Sequence, residues 1–162
     1  MMQYPSHMAL SIRRLVAGDE GTLALLARED ADFDLPGRGK ARPELSATAA
    51  RSYLADPSVV HWVAEIRDEV VGHLQGYVLH KRAGDGVEVI LYEVGVRSAH
   101  RRRGVGRALV ETLLAWTDER GLGEVWVLAD HPGAAAFYRS CGFEIGEGPT
   151  VFMNRVSGRP AR

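Results

Sequence analysis

Residues 87–121 constrain this chain more than any other stretch. Up to Val96 the apolar positions suit a strand: Val87, Val89, Ile90, Leu91, Val94 and Val96, mostly β-branched. A basic turn follows, Arg97-Ser98-Ala99-His100-Arg101-Arg102-Arg103, and Gly104 and Gly106 open a different periodicity. Val105, Leu109, Leu113 and Trp116 recur at spacings of 4, 4 and 3, one face of an amphipathic helix. A strand entering a helix through such a turn directs several unpaired backbone N–H groups at one point. The helix dipole adds about half a positive charge there. With arginines crowding the same turn, the expected guest is a phosphate or pyrophosphate, and the glycines let backbone approach it where a Cβ would obstruct. The alternative is an exposed basic turn touching nucleic acid. A Rossmann turn fails on spacing, since Leu109 stands where the third glycine belongs, and a P-loop fails for want of Gly-Lys-Ser/Thr.

Composition narrows the partner. Of 162 residues, 46% are hydrophobic and 25% charged, a globular balance, and the length suits one domain. Net charge is −1 with histidine neutral, so the arginines near 101 are local, whereas a nucleic-acid binder usually carries a basic excess throughout. Cys141 is the single cysteine, which rules out an intrachain disulfide and fits a reducing compartment. No run approaches the ~18 apolar residues of a membrane span, and the first residues lack a secretory signal pattern. The expected location is the cytoplasm. The expected organisation is one domain over 9–157, with flexible termini at 1–8 and 158–162.

In chain order the patterns predict a strand over 9–16, a helix from Asp19 as N-cap through about Glu29, and a loop over 31–45. Ser46 caps a second helix ending near Asp56-Pro57. Strands 59–67 and 70–82 are joined by a tight turn at Asp68-Glu69, and strand 87–97 follows. The helix opened by Gly104 ends at Arg120-Gly121, with Gly121 as C-cap. A strand over 124–129, a helix over 132–140 with Pro132 in its first turn, and closing strands 143–145 and 150–156 complete the order βααβββαβαββ. This is an α+β, mixed α/β sandwich: one sheet with helices on both faces.

The pattern Arg101-x-x-Gly104-x-Gly106, after a strand ending Glu93-Val94-Gly95-Val96, resembles the acetyl-CoA-binding motif of the GNAT N-acetyltransferase superfamily. Ala134-Ala135-Ala136-Phe137-Tyr138-Arg139-Ser140-Cys141-Gly142-Phe143 is similar to that family's second signature, at the family's usual separation. The resemblance implies a single central, mostly antiparallel sheet and an acetyl-CoA-dependent N-acetyltransferase with no metal. Three stretches look most like the aminoglycoside 3-N-acetyltransferases: Val70-Val71-Gly72-x-x-x-x-Tyr77-Val78-Leu79, Leu91-Tyr92-Glu93-Val94-x-Val96, and Ala129-Asp130. One position departs: seven residues before Tyr138, where the family often has the Asn that holds the pantetheine arm, stands His131.

The resemblance implies that Arg101, Arg102, Arg103, Gly104, Val105, Gly106 and Arg107 hold the pyrophosphate. It implies that Val94, Gly95 and Val96 offer backbone hydrogen bonds to the pantetheine as an added strand would, with His131 and Ala135 completing the cofactor set. The strand carrying them and the strand from Glu124 should splay apart. Glu93, polar inside an apolar strand where the thioester should lie, is the expected general base, direct or through water. An alkylamine near pKa ~10 and a carboxylate near ~4.3 differ by about 8 kcal/mol, so anchoring the ammonium and relaying its proton to water is the expected role. Tyr138 matches the tyrosine that protonates or hydrogen-bonds the departing thiolate, a full transfer uphill by about 2 kcal/mol. Glu29, Asp30, Asp32 and Asp34 lie where the family commonly walls its acceptor site. Asp32, Asp34, Glu93 and Asp130 are the expected substrate-binding residues for a polycation, the alternative for the 29–34 acids being a solvated loop. Trp62, Trp116, Trp126 and Phe137 read as core, and the histidines at 61, 73 and 80 lack metal-ligand support.

The expected activity is acetyl transfer to a primary amine of a small, aminoglycoside-like acceptor by direct attack in a ternary complex. Acetylation of protein or peptide N-termini and a non-catalytic coenzyme-binding module are the alternatives. The expected partner is the small amine, with no nucleic acid and no membrane; a homodimer is an option.

Overall fold

The structure is a computed structural model describing residues 9–84, 86–148 and 153. Five strands, β1 (Ser11–Arg14), β2 (Val59–Ile66), β3 (Glu69–His80), β4 (Val87–Val96) and β5 (Glu124–Val127), form one sheet in that order. The first three junctions are antiparallel and the β4–β5 junction is parallel. Helices α1 (Glu20–Arg28), α2 (Asp30–Phe33) and α3 (Ala47–Ala55) precede β2. Helix α4 (Val105–Glu119) supplies the crossover that a parallel pair needs, and α5 (Pro132–Ser140) follows β5. No helix among the described residues is long and apolar enough to cross a membrane.

Strand alternation builds two cores. Val60, Trp62, Ala64 and Ile66 of β2 face Val105, Leu109, Val110 and Leu113 of α4 and Tyr138 of α5. Val63 and Val70 face the other way, onto Leu26 of α1 and Phe33 of α2. Helices therefore lie on both faces of a mostly antiparallel sheet, as expected. Gly72 lets α4 lie close, since a Cβ there would meet Val105 Cγ1 at 2.9 Å.

Several boundaries differ from expectation. The stretch 31–45 is not loop throughout, because α2 forms over Asp30–Phe33 and buries Phe33 in the second core. Asp19 precedes α1, but its carboxylate makes no cap; it accepts the Val16 N–H at 2.8 Å and pairs with Arg13. Ser46 does cap α3, its hydroxyl accepting from Ala49 N–H at 3.2 Å. The β2–β3 turn falls one residue earlier, with Arg67 and Asp68 at φ 51° and 62°, the paired positive values that match hairpin twist. Phe143–Ile145 form no strand among the described residues. Instead the Phe143 N–H bonds Tyr138 O at 3.0 Å and closes α5 through Gly142 at φ 93°. The expected strand 150–156, Met153 apart, and the termini 1–8 and 158–162 lie outside the described residues.

One irregularity sets up the site. Gln75 opposes Glu93, yet Gly76 opposes Leu91, so Tyr92 is an extra residue in β4. A bulge of this kind reverses which side chains face which way. Val89 and Leu91 face the α4 core before it, and Val94 and Val96 face that core after it. Glu93, which strict alternation would set beside Leu91, is turned to the opposite face. The β4–β5 ladder also ends here, at Leu91 opposite Val127, while β4 runs on to Val96. The strands part at the bulge.

Candidate active site

On the basic side, the turn closes with Gly104 at φ 86° as N-cap of α4, with no side chain capping the helix. The first bond of the turn joins Ala108 N–H to Gly104 O at 2.9 Å. The N–H groups of Val105, Gly106 and Arg107 precede it and project from the helix end. Arg102 also takes a left-handed conformation, φ 58°, and it and Arg103 are exposed at the turn. An uncapped helix N-terminus with two exposed guanidinium groups fits the diphosphate of a coenzyme.

The glycines and arginines divide between tasks. A Cβ on Gly106 would meet Phe137 Cζ at 3.3 Å and Val96 Cγ2 at 3.5 Å, so this glycine serves the packing of α4 on α5 and β4. Arg101 donates from Nε to Val96 O at 2.9 Å and from Nη2 to Asp32 O at 3.0 Å and Asp34 O at 2.5 Å. Arg107 clamps the end of α5, reaching Ser140 O at 2.8 Å and Ser140 Oγ at 3.1 Å. Arg101 and Arg107 brace the protein, and Arg102 and Arg103 are exposed on the turn.

Beyond the bulge, Val94, Gly95 and Val96 line the parting between the strands. A Cβ on Gly95 would meet His73 Nε2 at 2.8 Å and Phe33 Cβ at 3.0 Å, so packing also demands this glycine. Across the parting, His131 caps α5, its Nδ1 accepting from Ala134 N–H at 3.1 Å. An Asn would be an equally good cap there. With Nδ1 as acceptor, a neutral ring carries its proton on Nε2, which lies 3.8 Å from Asp130 Oδ1. Ala135 sits in the same first turn, its N–H bonding His131 O at 3.1 Å.

Tyr138 is 8% exposed and packed between Phe137 and Phe143, at ring distances of 5.2 and 5.6 Å. Burial pushes its hydroxyl up to about 12, with the charges of Asp130, Cys141 and Glu93 adding. Against a thiol near ~8.5, full proton transfer is now uphill by about 5 kcal/mol. Tyr138 is therefore suited to donating a hydrogen bond to sulfur rather than to protonating it.

On the acidic side, the Glu93 side chain is 28% exposed and lies 3.6 Å from Arg42 Nη2. Burial raises its carboxyl above the ordinary range, Arg42 lowers it, and Asp30 and Asp34 raise it again; the net direction is upward. Asp30, 7% exposed, accepts from Arg42 Nε at 3.0 Å. In register across the sheet, His61 opposes Gln75 and Gln75 opposes Glu93. Tyr53 OH meets His61 Nδ1 at 2.9 Å. Burial pushes His61 down to about 3 and His73 to about 4, so both rings are neutral.

The expected substrate-binding acids separate. Asp32 accepts from Ser98 Oγ at 2.5 Å and from Arg97 at 3.1 Å, bonds that hold its carboxyl below the usual range. With Glu29 it fastens Arg97, whose guanidinium lies 4.7 Å from the Phe33 ring centroid. Asp32 is a brace. Asp34 accepts Leu35 N–H at 2.6 Å, and Asp130 pairs with Arg38. Asp30 and Asp34 act on Glu93 electrostatically, whereas Asp32 and Asp130 are engaged elsewhere. Sequence reasoning missed Arg38 and Arg42, which stand in a segment without periodicity, and Tyr53, which lies in the expected second helix but in no motif. It met His61 and His73 only as lone histidines, although their odd-numbered places beside Val63 put them on the second face.

Known proteins resemble this arrangement. The family model described as Acetyltransferase (GNAT) family matches residues 25–143. N-acetyltransferase family 8 member 3 of Rattus norvegicus is 32% identical over 117 residues, 70% of this chain and 51% of that protein. The chain thus spans about half the length of the curated relatives it matches. An aminoglycoside acetyltransferase from an uncultured soil metagenomic sample is 28% identical, with a TM-score of 0.76 over 93% of this chain and 100% of that one. Another aminoglycoside acetyltransferase from such a sample, solved with trehalose, shares the fold at a TM-score of 0.77 and 24% identity, covering 91% of this chain and 97% of its own.

Proposed function

This chain belongs to the GNAT acetyltransferase family, and on that premise we propose that it moves an acetyl group from acetyl-CoA to a primary amine of a small cationic acceptor, by direct attack in a ternary complex. One observation carries the proposal. The Tyr92 bulge turns Glu93 out of the apolar core, at the point where β4 and β5 part, onto a face shared with Asp30 and Asp34.

The N–H groups of Val105, Gly106 and Arg107, with the side chains of Arg102 and Arg103, would hold the diphosphate. The edge of Val94–Val96 that β5 leaves unpaired and the Nε2–H of His131 would hold the pantetheine, with Ala135 beside it. When bound, acetyl-CoA supplies a thioester whose C–S bond breaks as the acceptor's N–C bond forms. The chain's own groups manage charge. Glu93, its carboxyl raised by burial, anchors the incoming ammonium and takes its proton directly or through water. The Tyr138 hydroxyl, too weak an acid to give up its proton, steadies negative charge on sulfur by hydrogen bonding. A cytoplasmic setting goes with this reading, supported by the single Cys141.

Thiol release measured across aminoglycosides, linear polyamines, simple monoamines and peptide N-termini tests it, with calorimetry of coenzyme binding alongside. Turnover fastest with the polycations is expected. Preference for peptide N-termini overturns the acceptor assignment, and absence of coenzyme binding by folded protein overturns the whole proposal.

A further inference from the structure

We propose that Arg42 is a built-in stand-in for the acceptor's ammonium group, seated between Glu93 and Asp30 and displaced by acceptors that carry at least two cationic centres. This deepens the acetyl-transfer reading and rests on it.

Arg42 lies on the 34–46 segment between α2 and α3. Its backbone N–H is tied to Ala27 O at 2.9 Å, while its side chain is 56% exposed and reaches over the sheet. Nε meets Asp30 Oδ2 at 3.0 Å and Nη2 meets Glu93 Oε1 at 3.6 Å. The guanidinium therefore stands where an ammonium must stand to give its proton to Glu93. It can occupy that place harmlessly, because arginine does not lose its proton in proteins and so does not become a nucleophile.

The same segment places a second cation. Arg38 pairs with Asp130, which follows β5 on the far side of the parting. One loop thus lays two arginines on three carboxylates, Arg42 on Asp30 and Glu93 and Arg38 on Asp130 across the opening. The Arg38–Asp130 pair is exposed on both sides, and the Arg42 side chain is itself exposed over the more buried Glu93 and Asp30, so solvent and a competing cation reach both arginines. Arg97 and Arg101 make the opposite kind of contact: Arg97 is 13% exposed, and both are bonded to backbone carbonyls.

Charge decides the occupant. Asp30, Asp34 and Glu93 gather around the guanidinium of Arg42, which also acts on His73, and Asp34 acts on Arg38 as well. Tyr53, Tyr77 and Tyr138 share the field of Glu93 from α3, β3 and α5. A monoamine that displaces Arg42 exchanges one cation for another. An acceptor with two ammonium groups can replace both loop arginines and is favoured by the surplus of carboxylates.

The test uses R42Q, R42K and R38Q in the full chain. The first readout is the Glu93 carboxyl titration followed by carbon-13 NMR without amine. The second is kcat and KM for a monoamine and a diamine of equal chain length. R42Q should move the Glu93 midpoint and the acidic limb of kcat/KM to higher pH. It should also lower KM for the diamine about five-fold, the upper end of the range for a solvent-screened ion pair. R42K should reverse both changes, and R38Q should lower the diamine KM by less. An unmoved Glu93 midpoint in R42Q, or a diamine KM that stays level or rises, overturns the proposal. If no form turns over any amine, the acetyl-transfer reading fails on that result, while the titration still decides whether Arg42 sits on the base.

Discussion

The basic turn at 97–107 and the acidic segment at 29–34 look alike as strings: short, charged and on opposite sides of neutrality. Folded, they part ways. The turn keeps its main function in the backbone, where Gly104 at φ 86° leaves N–H groups projecting from α4, and the exposed Arg102 and Arg103 add charge. The acidic segment is used through side chains and backbone carbonyls alike, and largely on the turn itself. Asp32 holds Ser98 and Arg97, while the carbonyls of Asp32 and Asp34 receive Arg101. A helix terminus is dictated by local geometry, whereas the partner of a carboxylate is decided by whatever the fold brings opposite. Glu93 and Asp30 are reached instead by Arg42, from the segment beyond α2.

Glu93→Gln should have the largest effect. It should lower kcat/KM by about 10²–10⁴-fold and abolish the acidic limb of the pH–rate profile, as loss of a general base does. The same variant should be more stable at pH 7. A carboxyl raised above its unfolded value costs stability once ionised, and glutamine has no such cost. Denaturant midpoints beside initial rates check both signs, and a fully active variant would contradict the base.

Acid should come next. Unfolded imidazoles take protons near pH ~6.5 while native His61 and His73 stay neutral to about 3 and about 4. Stability present above pH 6.5 should therefore fall on acidification, by about 1.4 kcal/mol per pH unit for each ring. Urea midpoints at pH 7 and 5 measure it, and equal midpoints would mean that the rings are not held neutral.

Arg101→Gln should destabilise the fold by about 2–3 kcal/mol, because it removes three bonds from a charged group to backbone carbonyls. Gly104→Val should cost about 1–3 kcal/mol through its positive φ and weaken coenzyme binding at least about ten-fold by calorimetry. Arg102→Gln should be the mildest, with stability unchanged and coenzyme affinity down a few-fold, most visibly at low salt. If Arg101→Gln and Arg102→Gln behaved alike, the division between bracing and binding arginines would be wrong.

Much of the fold was legible from local pattern. The strand–turn–helix at 87–119 and the helix at 132–140 were readable because periodicity and glycine placement act over a few residues. The Phe143–Ile145 strand was misread because two apolar residues in three do not distinguish a strand from a helix C-terminus folding back on Tyr138. The site was legible in part. Glu93 stood out as a polar residue in an apolar strand, but strict alternation would have pointed it into the α4 core. Only pairing with β3 makes Tyr92 a bulge and turns Glu93 outward.

Local chemistry alone therefore determined the uncapped glycine start of α4 and the alternation that builds two cores, since both follow from φ preference and side-chain spacing within one segment. The tertiary structure alone decided which way Glu93 points, which acids are fastened to Arg97 and which remain beside Arg42. Those outcomes depend on register between strands and on charges brought together from distant parts of the chain, and no short stretch encodes either.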